Sequence, residues 1–115
     1  MEGKYRVLIV DGDAASRKQM GSILKQDVEF TVEEAKSADE AFRRMRKNVP
    51  DIVVVDQDVP GMEGLAFCHR LKEDPDSPMA HAYLVLVGEA GGPQMTRCIE
   101  QGADDVLQKP VQAEE

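Results

Sequence analysis

No run of about 18 consecutive apolar residues, the least that crosses a bilayer as a helix, occurs in the chain. No membrane contact is expected. The opening Met1-Glu2-Gly3-Lys4-Tyr5-Arg6 leads into a strand-like run without the charged and apolar regions of a secretion signal, which predicts a cytoplasmic location. A basic excess is lacking as well, with 14 Lys plus Arg against 22 Asp plus Glu and a net charge of −8. Binding to a phosphate backbone rests on Lys and Arg releasing condensed counterions, so direct nucleic-acid binding by this domain is not expected. Cysteine is scarce: Cys68 and Cys98 lie far apart in helical patterns, which suits reduced core thiols better than a disulfide framework or a CxxC site. Repeats, low-complexity tracts and linkers are absent from the 115 residues. Residues 1–115 are therefore read as a single domain, long enough to bury roughly two thirds of its unfolded surface without a staple.

What the chain does have is a recurring apolar run. Val7-Leu8-Ile9-Val10, Ile52-Val53-Val54-Val55, Leu84-Val85-Leu86-Val87 and Val106-Leu107 read as strands, with Phe30-Thr31-Val32 as a weaker fifth. The strong runs are continuously apolar rather than alternating, as in parallel strands covered on both faces. Helical patterns lie between them. In residues 38–47, Ala38, Ala41, Phe42 and Met45 fall at i, i+3, i+4 and i+7 behind a Ser37/Glu40 capping box. Its outer face carries Arg43, Arg44, Arg46 and Lys47, partly accounted for by Asp39 and Glu40 four residues earlier. This cluster is read first as a solvated face and second as a partner site. Further helices are predicted from Ala14 to Gln26, from Leu65 to Glu73, and from Pro93 to Gly102, the last burying Met95, Cys98 and Ile99. The β-α alternation specifies an α/β fold, a doubly wound open parallel five-stranded sheet.

Ligands of such sheets gather outside the carboxyl ends of the strands. Asp11, Gly12 and Asp13 follow the first run, Asp56, Gln57 and Asp58 the third, Gly88 and Glu89 the fourth, and Gln108, Lys109 and Pro110 the fifth. Carboxylates crowded this way repel one another, and the arrangement persists where a cation or proton resolves the repulsion. A hard ion such as Mg²⁺ is suited to it, since one or two carboxylates suffice and phosphate can complete its shell. Simpler roles compete for some of these residues: Asp13 can be a helix N-cap, Asp58 can serve the turn at Val59-Pro60-Gly61, and Lys109 alone is an ordinary surface lysine. Asp56, directly after four apolar residues, has no such simple alternative.

Three ordered stretches, VLIVDGD at 7–13, PDIVVVDQDVPGMEG at 50–64 and GADDVLQKP at 102–110, resemble the receiver domains of two-component response regulators. The resemblance implies a flavodoxin-like (βα)5 fold and a phosphorelay function: Asp56 as the phosphoacceptor for a sensor histidine kinase or phosphotransfer protein, and Lys109 as the phosphate contact. It further implies Mg²⁺ held by Asp11 and Asp56, with Asp58 lending a main-chain carbonyl. Where Gly12 replaces the family's second acidic residue, Asp13 or a water is the stand-in, so the candidate metal set is Asp11, Asp13, Asp56 and Asp58. No enzymatic activity beyond self-phosphorylation and self-dephosphorylation is expected, and the implied partner besides the kinase is an output domain or separate protein. Pro110 matches a position that is a cis peptide bond in the family.

Two departures weaken the implied switch. Gly12 offers no metal ligand, and Val87 stands where the family has a Thr or Ser that bonds the phosphoryl oxygen. Val106 replaces a customary aromatic in the same sense. Only Val111-Gln112-Ala113-Glu114-Glu115 follow Pro110, too few for the family's fifth helix, so the chain is expected to be a piece of a longer protein or to hide apolar surface by forming a homodimer. The competing function is a pseudo-receiver that binds partners independently of phosphate. Val10-Asp11-Gly12-Asp13 also resembles the first motif of haloacid-dehalogenase-type phosphatases, but Val87 is not that family's Ser or Thr and the chain is short for it. Gly88-Glu89-Ala90-Gly91-Gly92 lacks the Lys and Ser/Thr of a P-loop, and His69 and His81 have no metal-ligand company.

Overall fold

The continuous apolar runs demand cover on both faces, and the computed structural model provides it. It describes residues 3–88, 97, 99–100 and 102–108. In chain order the elements are β1 (Tyr5–Val10), α1 (Ala14–Lys25), β2 (Phe30–Ala35), α2 (Ala38–Lys47), β3 (Ile52–Asp56), α3 (Gly64–Lys72), β4 (Tyr83–Gly88) and β5 (Asp105–Gln108). The five strands form one parallel sheet in the order β2-β1-β3-β4-β5. The expected doubly wound fold is the observed one. Chain order reverses between β1 and β3, and the crevice at such a reversal is where an open sheet can receive a ligand.

Side chains alternate across each strand, so the runs divide between two cores. Leu8, Val10, Val53, Val55, Leu84 and Leu86 pack with Ala41 and Met45 of α2 and Phe67, Cys68 and Leu71 of α3. Val7, Val54, Val85 and Val87 face the other way, toward Met20 and Leu24 of α1. Cys68 is fully buried, as a core thiol should be; Cys98 lies outside the described residues. The expected stripe of α2 is real, with Phe42 stacked on Phe67 at a centroid distance of 5.0 Å. The Ser37 hydroxyl caps α2 by accepting from the Glu40 amide at 3.2 Å.

Two expectations need correction. Of the two i, i+4 pairs on α2, Arg44 reaches Glu40 at 3.6 Å, whereas Asp39 and Arg43 form no ion pair among the described residues. Both side chains are exposed, and an exposed pair gains too little to hold two flexible groups together. Residues 97, 99 and 100 are helical and Gly102, at φ +114°, ends the segment, but Ile99 is 56% exposed rather than buried. A stripe of only Met95, Cys98 and Ile99 is too short to fix which side of a helix faces the sheet, and its first two members lie outside the described residues. Patterning also missed a two-residue ladder pairing Asp58–Val59 with Met62–Glu63 and a 3₁₀ turn at Pro78–His81. The expectation of a truncated last helix falls on residues 109–115, outside the described residues.

At the end of the sheet away from the carboxylates, Lys72 ties three segments together. Its ammonium donates to the carbonyls of Ala80 at 2.9 Å and Ala82 at 3.0 Å and meets the Asp104 carboxylate at 3.4 Å. Asp104 in turn accepts from the Leu84 amide at 2.8 Å and donates its own amide to the Leu84 carbonyl at 2.7 Å. This holds the start of β5 against β4 and α3. Replacing Lys72 by Met strips a charge from three acceptors, and we expect a loss of roughly 1–3 kcal/mol. In urea unfolding the midpoint should fall with an unchanged slope; an unmoved midpoint would show that the knot adds nothing.

Candidate functional site

Register builds the site. Val10 of β1 lies opposite Val55 of β3, and Asp56 lies opposite Val87 of β4. The next residue of β1's run, Asp11, therefore stands beside Asp56, with neighbouring strands about 4.8 Å apart. By the same alternation, Asp11, Asp56 and Val87 project from one face in a row. Both carboxylates are nearly enclosed, with Asp11 at 7% and Asp56 at 6% exposure. Each is held by the loop it begins: Asp11 Oδ1 accepts from the Asp13 amide at 2.9 Å, and Asp56 Oδ2 from the Asp58 amide at 3.0 Å. Such bonds fix the loop and the carboxylate together.

The other candidates fall elsewhere. Asp13 is exposed and caps α1, its carboxylate accepting from the Ala15 amide at 3.3 Å. Asp58 is exposed in the small hairpin, its carboxylate accepting from the side-chain Nε2 of Gln57 at 3.4 Å. Among the described residues no three His, Cys, Asp or Glu side chains converge on a point where a metal could sit. The structure thus brings Asp11 and Asp56 together and leaves the Asp13 and Asp58 carboxylates toward water. Lys109, Glu89 and Pro110 lie outside the described residues.

Sequence reasoning passed over one residue that shapes the site. Arg17 of α1 is largely buried, donating to the Asp11 carbonyl at 2.8 Å and pairing with Glu34 of β2 at 3.0 Å. Its signal was available: Arg17, Met20 and Leu24 share the i, i+3, i+7 spacing, so a charged residue occupies the inward stripe of α1.

Residues 7–115 match the family model of the response regulator receiver domain. The chain belongs to that family. Among curated relatives, the protein-glutamate methylesterase/protein-glutamine glutaminase 3 of Geobacter metallireducens is 34% identical over 109 residues, which cover 93% of this chain and 30% of that protein. A protein-glutamate methylesterase/protein-glutamine glutaminase 1 of Cereibacter sphaeroides is 37% identical over 106 residues, covering 91% and 28% respectively. The chain spans under a third of the length of these relatives. Among solved structures, a response regulator from Chloroflexus aurantiacus superposes with a TM-score of 0.85 at 27% identity, covering 96% of this chain and 88% of that one. The signal receiver domain of a signal transduction histidine kinase from Syntrophus aciditrophicus gives 0.83 at 28%, covering 96% and 82%.

This receiver fills its two departures with packing. A Cβ on Gly12 would lie 2.6 Å from Cγ and Cδ of Pro60, so the proline ring occupies the space beside the glycine. The Pro60 carbonyl also accepts from the Ala38 amide at 3.1 Å, tying the loop after β3 to the start of α2. Val87 is 4% exposed within the α1-side core. Gln57 bridges the strand ends, donating its amide to the Val87 carbonyl at 2.9 Å and accepting from the Gly64 amide at 2.9 Å. Gly64 has no alternative, because a Cβ there would stand 2.5 Å from the Asp56 carbonyl.

The Gly12–Pro60 contact makes a measurable coupling. We expect Gly12→Ala to cost roughly 1–2 kcal/mol by overpacking, with most of that penalty gone in a Pro60→Ala background. Denaturant titrations of the two single variants and the double variant test this; additive losses would mean the contact does not couple the loops.

Proposed function

We propose that this receiver accepts a phosphoryl group on Asp56 from a phosphohistidine of a sensor histidine kinase or phosphotransfer protein, and that the phosphorylated form regulates an output domain or separate partner. The observation that supports this best is the buried Asp56 carboxylate beside Asp11 at the reversal point of the sheet. A carboxylate is already an ionised nucleophile and needs no general base. Asp56 oxygen forms the new O–P bond as the P–N bond breaks, and the leaving imidazole nitrogen keeps the electron pair. The Asp58 amide at 3.0 Å orients the attacking carboxylate, and the Asp13 amide and Arg17 hold Asp11 in place.

The donor set suits Mg²⁺ at its minimum. Two adjacent buried carboxylates are hard oxygen ligands, and a site of one or two carboxylates that leaves room for water and phosphate oxygen is what this ion accepts. Asp11, Asp56 and the Asp58 carbonyl would hold it, while Asp13 is committed to capping and Gly12 supplies nothing. When bound, the ion would neutralise charge on the phosphoryl oxygens. Lys109 is assigned the remaining oxygen contact on the strength of its motif. A methylesterase-like activity, as in the names of the relatives, would belong to chain outside the matched receiver.

A phosphate-independent interaction module is the second reading, favoured by Val87, which lines the row of carboxylates without a donor. Incubation with Mg²⁺ and acetyl phosphate separates the two. The wild type should gain one phosphoryl group by intact mass and Asp56→Asn none; absence of an adduct on the wild type at every donor concentration would establish the second reading.

Val87→Thr probes the switch itself. The variant should lose about 1–2 kcal/mol unphosphorylated, since its hydroxyl enters an apolar cluster. It should show a larger phosphorylation-dependent change in amide exchange over β4 and β5 than the wild type. Equal changes in both proteins would show that residue 87 does not limit the response.

A further inference from the structure

The acidic chain concentrates four of its 14 cations on the outer face of α2, Arg43, Arg44, Arg46 and Lys47, which leaves ten for the rest of the molecule against 22 acids. Helix physics explains part of this. Cations in the last turn complement the helix dipole, and Arg44 is engaged by Glu40 and Glu33, each at 3.6 Å. Arg43, Arg46 and Lys47 are exposed and form no ion pair among the described residues. Together with Glu33, Glu40 and Asn48 these side chains line an open hollow of about 510 Å³ on the outer surface of α2 beside the edge strand β2. Beyond Arg46 the surface is of mixed charge, with Arg70 already engaged by Glu73 at 3.9 Å and lying over the Phe42 ring, and with Asp74 beside them.

We propose that this hollow docks a short acidic segment of a partner protein, with aspartate or glutamate carboxylates taken by Arg43, Arg46 and Lys47. Guanidinium forks match carboxylates two bonds at a time, and a local positive patch on a negative molecule orients an incoming acidic chain. Glu33 and Glu40 supply specificity, since they hold Arg44 and repel anions that overrun the patch. A continuous phosphate backbone is disfavoured for that reason: its binding grows with the number of phosphates neutralised and counterions released, and three cations flanked by carboxylates neutralise few.

The test uses a short fluorescein-labelled poly-glutamate peptide, with fluorescence anisotropy at low salt and amide chemical shifts. The wild type should bind, with shifts confined to β2 and α2 near the hollow. Arg43→Gln/Arg46→Gln/Lys47→Gln should weaken binding about tenfold, while neutralising two exposed cations on α1, Lys18→Gln/Lys25→Gln, should leave it unchanged. Unaltered thermal unfolding of both variants would show that charge and not folding was removed. The proposal is overturned if the wild type fails to bind, if both variants weaken binding equally, if the shifts map elsewhere, or if duplex DNA or phosphatidylserine vesicles bind more tightly than the peptide.

Discussion

The parallel register of β1, β3 and β4 is the constraint on which the rest of the site depends. It sets Asp11, Asp56 and Val87 side by side at the carboxyl ends of the three apolar central strands. Two carboxylates enclosed there would be costly without donors. The chain supplies them from the residues two positions on, whose amides each meet the carboxylate that precedes them. The loops after β1 and β3 are therefore shaped by the same bonds that orient the acids. A slip of one residue in either pairing would turn its carboxylate to the opposite face and undo both.

Two sets of ties act on this frame from opposite ends. Near the carboxylates, Arg17 grips the Asp11 carbonyl, the Pro60 carbonyl grips the start of α2, and Gln57 joins β3 to β4 and to α3. At the far end Lys72 and Asp104 lock β5 and the 3₁₀ turn against α3 and β4. Most of these bonds end on main-chain atoms. They fix backbone positions without specifying the side chains nearby, which lets the rim of the sheet vary in chemistry while the strands stay in place.

Much of this was legible in the sequence. Continuous apolar runs announced strands covered on both sides, the α2 stripe and its serine cap were read to the residue, and Asp11 and Asp56 stood out because charges follow apolar runs there. What escaped reading depends on contacts distant in sequence. Nothing near Gly12 shows that Pro60 will fill its missing side chain, and nothing near Lys72 foretells carbonyls at Ala80 and Ala82. Asp13 and Asp58 carried local alternatives, a cap and a turn; Asp13 does cap α1, and the Asp58 carboxylate lies in the small hairpin beside the Gln57 side chain. The failed burial of Ile99 comes from a stripe too short to set a facing direction. Arg17 was visible as a charge in an apolar stripe, but its partners, a carbonyl and Glu34 on another strand, were not.

The departures at Gly12 and Val87 act in one direction. A ligand moves a two-state equilibrium only by binding one state better than the other. The valine side chain offers no hydrogen bond that could differ between states, and its burial among Val7, Val54 and Val85 favours the arrangement already present. The glycine admits Pro60, whose ring and carbonyl join the loop after β3 to the loop after β1 and to α2, again favouring one arrangement. Discrimination between phosphorylated and unphosphorylated forms would then fall to main-chain amides at the strand ends and to the assigned lysine. Main-chain donors are displaced only when strands or loops shift as units, and here those units are cross-tied. A site built this way suits positioning a carboxylate more than propagating a change from it, and the docking face proposed on α2 would then serve in either state.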